Sequence, residues 1–156
     1  MPENSKKMTN LRQIARPQVV VLAYDGLCTF EFGVAVEIFG LPRPELGDEW
    51  YRFAVASVDY GELRATGGIR IVTDGDLSLL ASADLIVVPG WRGIDSPVPD
   101  ALCEALRQAS ARGCQLLSIC SGVFVLAATG LLNGRKATTH WRYIDALKVR
   151  YPDIDV

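Results

Sequence analysis

Histidine is almost absent from this sequence: His140 is the single one in 156 residues, beside four cysteines at positions 28, 103, 114 and 120. No two cysteines stand in a C-x-x-C pair, so the ligand spacing of a structural zinc site is missing and no metal is expected. Long apolar runs are missing as well. The longest, 19–24 and 123–132, fall far short of the roughly 18 to 20 residues of a membrane span. Residues 1–16 are polar and lack the apolar core of a secretory signal. The expectation is a cytoplasmic protein without membrane association, whose cysteines serve packing or chemistry rather than disulfides. Excess positive charge is absent too. Lys+Arg number 16 against 18 Asp+Glu, giving a net charge of −2 and a pI near 5.4, which is not the footprint of a nucleic-acid-binding chain. The densest basic stretch (Arg135, Lys136, Arg142, Lys148, Arg150) is broken by Asp145 and reads as a solvated helix face. Neither repeats nor low-complexity tracts occur, and no cofactor is expected.

What is present is a globular composition at its apolar end. Hydrophobic residues make up 49% and charged residues 22%, with a mean hydropathy of +0.19, in a chain of single-domain size. Residues 18–24 and 84–88 read as apolar runs, the mark of strands buried on both faces of a parallel sheet, and 115–119 as the next strand. Residues 51–58 suggest a further strand and 69–72 a short edge strand. Between them, helical spacing runs over 30–39 (Phe30, Val34, Ile38, with Phe39 on the flank) and over 99–112 (Leu102, Ala105, Leu106, Ala109). Two more helices are expected, over 122–132 and over 139–149, the last with Trp141, Ile144 and Leu147 inward. Alternating strands and helices predict an α/β three-layer sandwich: a mainly parallel sheet flanked by helices, flavodoxin-like in arrangement. Residues 1–16 read as a mobile leader and 17–156 as the domain. Residues 152–156 read as the start of another strand, so the sheet is expected to be truncated at its C-terminal end. Uncovered apolar surface would then make the isolated chain prone to aggregate.

The chemistry concentrates in Ser118-Ile119-Cys120-Ser121-Gly122, where an apolar strand turns directly into a helix. Small residues two before and two after the tip are what a strained nucleophile elbow requires, with Cys120 at the tip. A helix N-terminus there would stabilise the thiolate and lower its pKa. The Ser121 N–H would face the same spot, and the amides of Gly90 and Trp91, at the end of strand 84–88, could complete an oxyanion hole. Glu31, between Phe30 and Phe32 in the turn after the first strand, is the acidic candidate, since a carboxylate in apolar surroundings is costly unless bonded or protonated. Protonated, it could donate to the thiolate; ionised, it could act as a base. His140 could pair with Cys120 as an imidazolium or be a purely structural residue; spacing leaves both open. Cys28, Cys103 and Cys114 are assigned to packing.

With Glu31, Pro89-Gly90, the Cys120 elbow and Thr138-Thr139-His140-Trp141 in that order, the sequence resembles the ThiJ/PfpI (DJ-1-like) superfamily, with its class I glutamine amidotransferase-like fold. Within it, the stretches 24–32, 89–93 and 118–126 are similar to the N-terminal domain of AraC/GlxA-type transcriptional regulators. The resemblance implies a reactive thiol at Cys120, an acidic partner at Glu31 and a pocket histidine at His140. It further implies a ligand- or redox-sensing domain that binds a small molecule, forms a homodimer and reaches DNA only through an AraC-type helix-turn-helix domain absent from this chain. An alternative is a cysteine-dependent hydrolase or hydratase of small amides, nitriles or isonitriles. A third is a thiol that oxidises to sulfinic acid against Glu31. Family peptidases place histidine directly after the cysteine, whereas this chain has Ser121, which argues against peptidase activity.

Overall fold

The computed structural model describes residues 16–156. Except for Arg16, the leader expected over 1–16 lies outside the described residues. Among the described residues six strands form: β1 (Gln18–Ala23), β2 (Arg52–Ser57), β3 (Leu63–Arg64), β4 (Arg70–Ile71), β5 (Leu85–Pro89) and β6 (Gln115–Ile119). Four of them build one parallel sheet in the order β2-β1-β5-β6, while β3 and β4 form a separate antiparallel hairpin. The helices are α1 (Thr29–Ala35), α2 (Asp100–Ala111), α3 (Val123–Ala128) and α4 (Ile144–Arg150).

Why the strands read as unbroken apolar runs is visible in the packing. On β1, Val20 and Leu22 join Ile86, Val88, Leu102, Leu106, Val125 and Leu126 in the core beneath α2 and α3. Val19 and Val21 point the other way, with Val87, Ala35 and the flanking Phe32 and Phe39, beneath α1. Elements on both faces leave β1 and β5 no polar side to show. A third cluster, Val123, Phe124, Ala127, Leu147 and Ile154, seats α4 and the last residues on the far side of α3.

Several expectations need correction. The stripe Phe30–Val34–Ile38 does not face the sheet: Phe30 is 78% and Ile38 46% exposed, while Phe32, Ala35 and Phe39 pack inward. The helix also changes winding, passing from α1 into a π-turn over Val36–Gly40. The helix expected over 122–132 is only Val123–Ala128, preceded by a 3-10 turn and stopped where the Thr129 hydroxyl donates to the Leu126 carbonyl (2.6 Å) ahead of Gly130 at φ 79°. The last helix is split into a 3-10 turn, Trp141–Tyr143, and α4. Trp141 is 72% exposed rather than inward, and Tyr143 takes the inward place against Phe124, ring centroids 6.4 Å apart. Residues 153–155 run beside 134–137, with a bridge between Lys136 and Asp155.

The order β2-β1-β5-β6 places a switch in strand direction of travel between β1 and β5: the chain leaves β1 toward β2 and later returns to β5 on the other side. The crevice at such a point, at the C-terminal ends of the strands, is where α/β sheets bind ligands. Glu31 follows β1, Gly90 and Trp91 end β5, and Cys120 ends β6.

Candidate functional site

Cys120 carries φ 56°, the left-handed region, and is the one non-glycine residue there among the described residues. A β-carbon in that conformation costs on the order of 1–3 kcal/mol, so the surroundings must impose it. They do so from three sides. Thr139 Oγ1 donates to the Cys120 carbonyl at 3.0 Å. Ser121 Oγ accepts from the Trp91 N–H at 2.9 Å. Gly122 lies so close to β5 that a Cβ there would sit 2.2 Å from the Val88 carbonyl oxygen. Only glycine permits that approach, which is the physical content of a small residue two places after the tip.

Glu31 reaches this turn from α1. The half-buried Cys120 thiol is pushed up from its ordinary pKa chiefly by burial; the Ser121 N–H acts in the opposite direction, while the nearby Glu31 carboxyl and Cys28 raise it further. The expectation of a lowered pKa is therefore corrected. α3 has only six residues behind a 3-10 turn, and desolvation plus a neighbouring carboxyl outweigh its dipole.

Cys28 also belongs here, contrary to its assignment to packing alone. It is the N-cap of α1, three residues ahead of Glu31, which sets both on the first turn of the same helix. Its thiol donates to the Trp91 carbonyl at 3.6 Å and is pushed up by burial, with the Tyr24 hydroxyl opposing. Tyr24, fully buried, donates to the Pro89 carbonyl at 2.7 Å and lies against Trp91 at 4.8 Å between ring centroids. Arg92 closes the outer side. Its guanidinium pairs with Asp59 at 2.8 Å and lies 4.5 Å from the Trp91 ring centroid. Gly90, at φ 72°, leaves room for Cys28: a Cβ there would be 2.7 Å from the Cys28 sulfur.

Two of the three expected oxyanion donors are engaged elsewhere. The Gly90 N–H donates to the carbonyls of Val88 (3.1 Å) and Ile119 (3.0 Å), and the Trp91 N–H to Ser121 Oγ. They stitch β5 to the elbow instead of opening toward a substrate. The Ser121 N–H alone of the three faces the Cys120 sulfur. His140 is placed differently from the expected pair. Its Nδ1 accepts from the Arg142 N–H at 3.2 Å, capping the 3-10 turn, and its ring lies 5.4 Å from Trp141 and 5.6 Å from Tyr143. The segment before it does meet the elbow, but through Thr139.

So the turn ends of β1, β5 and β6 bring Glu31, Gly90, Trp91, Cys120 and Ser121 together, and His140 stands aside as a capping residue. Tyr24, Cys28 and Thr139 were missed from sequence. For Cys28 a signal existed: N-cap and N3 positions share one face of a helix start. No group of three or more His, Cys, Asp or Glu side chains among the described residues is disposed to hold a metal ion. Nor is any helix of the described residues long and apolar enough to cross a membrane.

Residues 17–154 match the DJ-1/PfpI family, and the chain belongs to it. A protein encoded in the cpoL 5′ region of Streptomyces lividans is 35% identical over 136 residues, covering 86% of this chain and 95% of that one. The HTH-type transcriptional regulator CdhR of Pseudomonas aeruginosa is 41% identical over 107 residues. That match covers 68% of this chain but only 32% of the regulator, so the chain spans about a third of its length. Among solved structures, an AraC family transcriptional regulator from Pseudomonas putida shares the fold, with a TM-score of 0.71 at 22% identity over 88% of this chain and 74% of that one.

Proposed function

We propose that this chain is a sensing domain of an AraC-type transcriptional regulator, in which the pocket around Cys120 takes a small molecule or registers oxidation of the thiol. The engagement of the Gly90 and Trp91 amides carries the reading. An acyl-transfer or hydration site aims two or more preorganised donors at the developing negative charge, and here one amide faces the sulfur. The direction of the thiol's pKa agrees. A nucleophile working near neutral pH is activated by a depressed pKa or an adjacent base, whereas burial and Glu31 hold Cys120 in its neutral form. Regulators among the relatives support the same assignment. The domain works in the cytoplasm as a homodimer that sets the geometry of attached helix-turn-helix domains, and the outward Phe30, Val34 and Ile38 of the α1 region give a second copy an apolar surface to meet.

Two measurements test this. Supplied with a small amide, nitrile or isonitrile, the protein is expected to give no steady turnover; turnover that vanishes in Cys120→Ala would make it an enzyme instead. Glu31→Gln should speed alkylation of Cys120 by iodoacetamide near pH 7.5, because it removes the carboxylate charge that raises the thiol's pKa. Each unit of lowering increases thiolate tenfold but weakens its nucleophilicity, for a net gain of about three- to fourfold. A slower reaction would assign Glu31 the role of a base that activates the cysteine, which the enzyme reading requires.

A further inference from the structure

The pocket contains two thiols, and a sensor built on Cys120 uses one. Cys28 and Ser121, the neighbour of Cys120, meet at the Trp91 carbonyl. Cys28 packs against Gly90 and donates to that carbonyl at 3.6 Å, while Ser121 donates to it at 3.4 Å. The Cys28 charge acts directly on the Cys120 thiol, and the Glu31 charge acts on both. Each of the two is half-buried and open to a small oxidant, whereas Cys103 and Cys114 are buried, on α2 and just ahead of β6.

We propose that Cys28 is the resolving partner of Cys120, so that a hydroperoxide converts the pair into a reversible disulfide joining the start of α1 to the elbow. The proposal rests on the reading of Cys120 as the reactive thiol. In the first step the Cys120 sulfur attacks one peroxide oxygen and the O–O bond breaks. The sulfur is oxidised to sulfenic acid, and the other oxygen leaves as an alcohol, or as water from hydrogen peroxide, taking the thiol proton. In the second, the Cys28 sulfur attacks the Cys120 sulfur, the S–O bond breaks, and the hydroxyl departs as water with the Cys28 proton. Two thiols and one hydroperoxide give one disulfide, one alcohol and one water. Gly90 lies against Cys28 without a side chain, so no β-carbon stands between that sulfur and the elbow. Capture by Cys28 competes with the further oxidation of Cys120 to the sulfinic acid that Glu31 would hold.

The test is mild treatment of the full chain with hydrogen peroxide, read by intact mass, peptide mapping and iodoacetamide capture of remaining thiols. The expected product has lost two hydrogen atoms and two alkylatable thiols, maps as a Cys28–Cys120 link and reverts with dithiothreitol. In Cys28→Ser, checked for native circular dichroism, Cys120 should instead gain two oxygen atoms. A wild-type product with two oxygens on Cys120 and Cys28 still free overturns the inference while leaving Cys120 as the reactive thiol. Oxidation of Cys120 no faster than that of Cys103 and Cys114 overturns both.

Discussion

Gly122→Ala is expected to destabilise the chain by about 3 kcal/mol or more, the upper end of what overpacking costs. The added carbon would stand 2.2 Å from the Val88 carbonyl oxygen and 3.1 Å from the Gly90 nitrogen. Both are backbone atoms of β5 and its continuation, with strand neighbours on either side, so no rotamer change relieves the overlap. The elbow must lift off the sheet. With it go the Gly90–Ile119 hydrogen bond and the Trp91–Ser121 hydrogen bond, the latter one of the contacts that hold Cys120 in its left-handed conformation. Out of a total stability of about 5–15 kcal/mol, such a loss is large, and it should appear as a fall in Tm on the order of 10 °C. Gly33→Ala is the control. That glycine lies in α1, exposed, with no atom within 4 Å of an added Cβ, and alanine there should be neutral or stabilising by up to about 1 kcal/mol. Equal and small effects of the two substitutions would remove the close approach of elbow and β5 as the basis of the site.

The same contrast explains what the sequence did and did not reveal. Strands β1 and β5 were legible because each is covered on both faces, which leaves nearly unbroken apolar side chains; β6, an edge strand with Leu117 40% exposed, was marked instead by its direct passage into the turn at Cys120. The tight passage from β6 into the helix, with Cys120 at φ 56°, was legible because Ser118 and Gly122 are small at the separations such a turn demands. The orientation of α1 was not. Phe30–Val34–Ile38 and Phe32–Ala35–Phe39 are both helical stripes, and periodicity cannot choose between two apolar faces on one helix. Nor could a motif say where backbone amides point. The Gly90 and Trp91 N–H groups sit where an oxyanion hole was expected, but their partners, Val88, Ile119 and Ser121, come from two adjoining strand ends and appear only in three dimensions. Strand β3 escaped for a related reason. Arg64 is held by backbone bonds from Gly26 and Leu27, which carry no side-chain signature.

Alkaline pH should destabilise this protein, with the four raised thiols beginning the loss and Tyr24 adding to it above pH 10. Burial, first of all, pushes the Tyr24 phenol far above its ordinary value; the hydroxyl has no exposed surface and donates to the Pro89 carbonyl at 2.7 Å. The four thiols and Tyr151 are raised as well, each chiefly by burial. The sign follows from linkage. With folded values above unfolded ones, the stabilisation is complete below the unfolded pKa values. It is lost as pH rises past about 8.5 for cysteine and 10 for tyrosine, where the unfolded chain releases protons that the native chain retains. Tyr24 alone contributes a loss of up to about 1.4 kcal/mol per pH unit above 10. Urea midpoints measured from pH 7 to 11 under reducing conditions should therefore fall past 8.5, with a further contribution from Tyr24 past 10. Tyr24→Phe removes the hydrogen bond and should start about 1 kcal/mol lower at neutral pH. Its curve should then decline less steeply, so that the two converge or cross at high pH. Parallel curves above pH 10 would mean that the phenol ionises as readily in the native state as in the unfolded one. The packing of Tyr24 between Pro89, Cys28 and Trp91 would then be looser than the site requires.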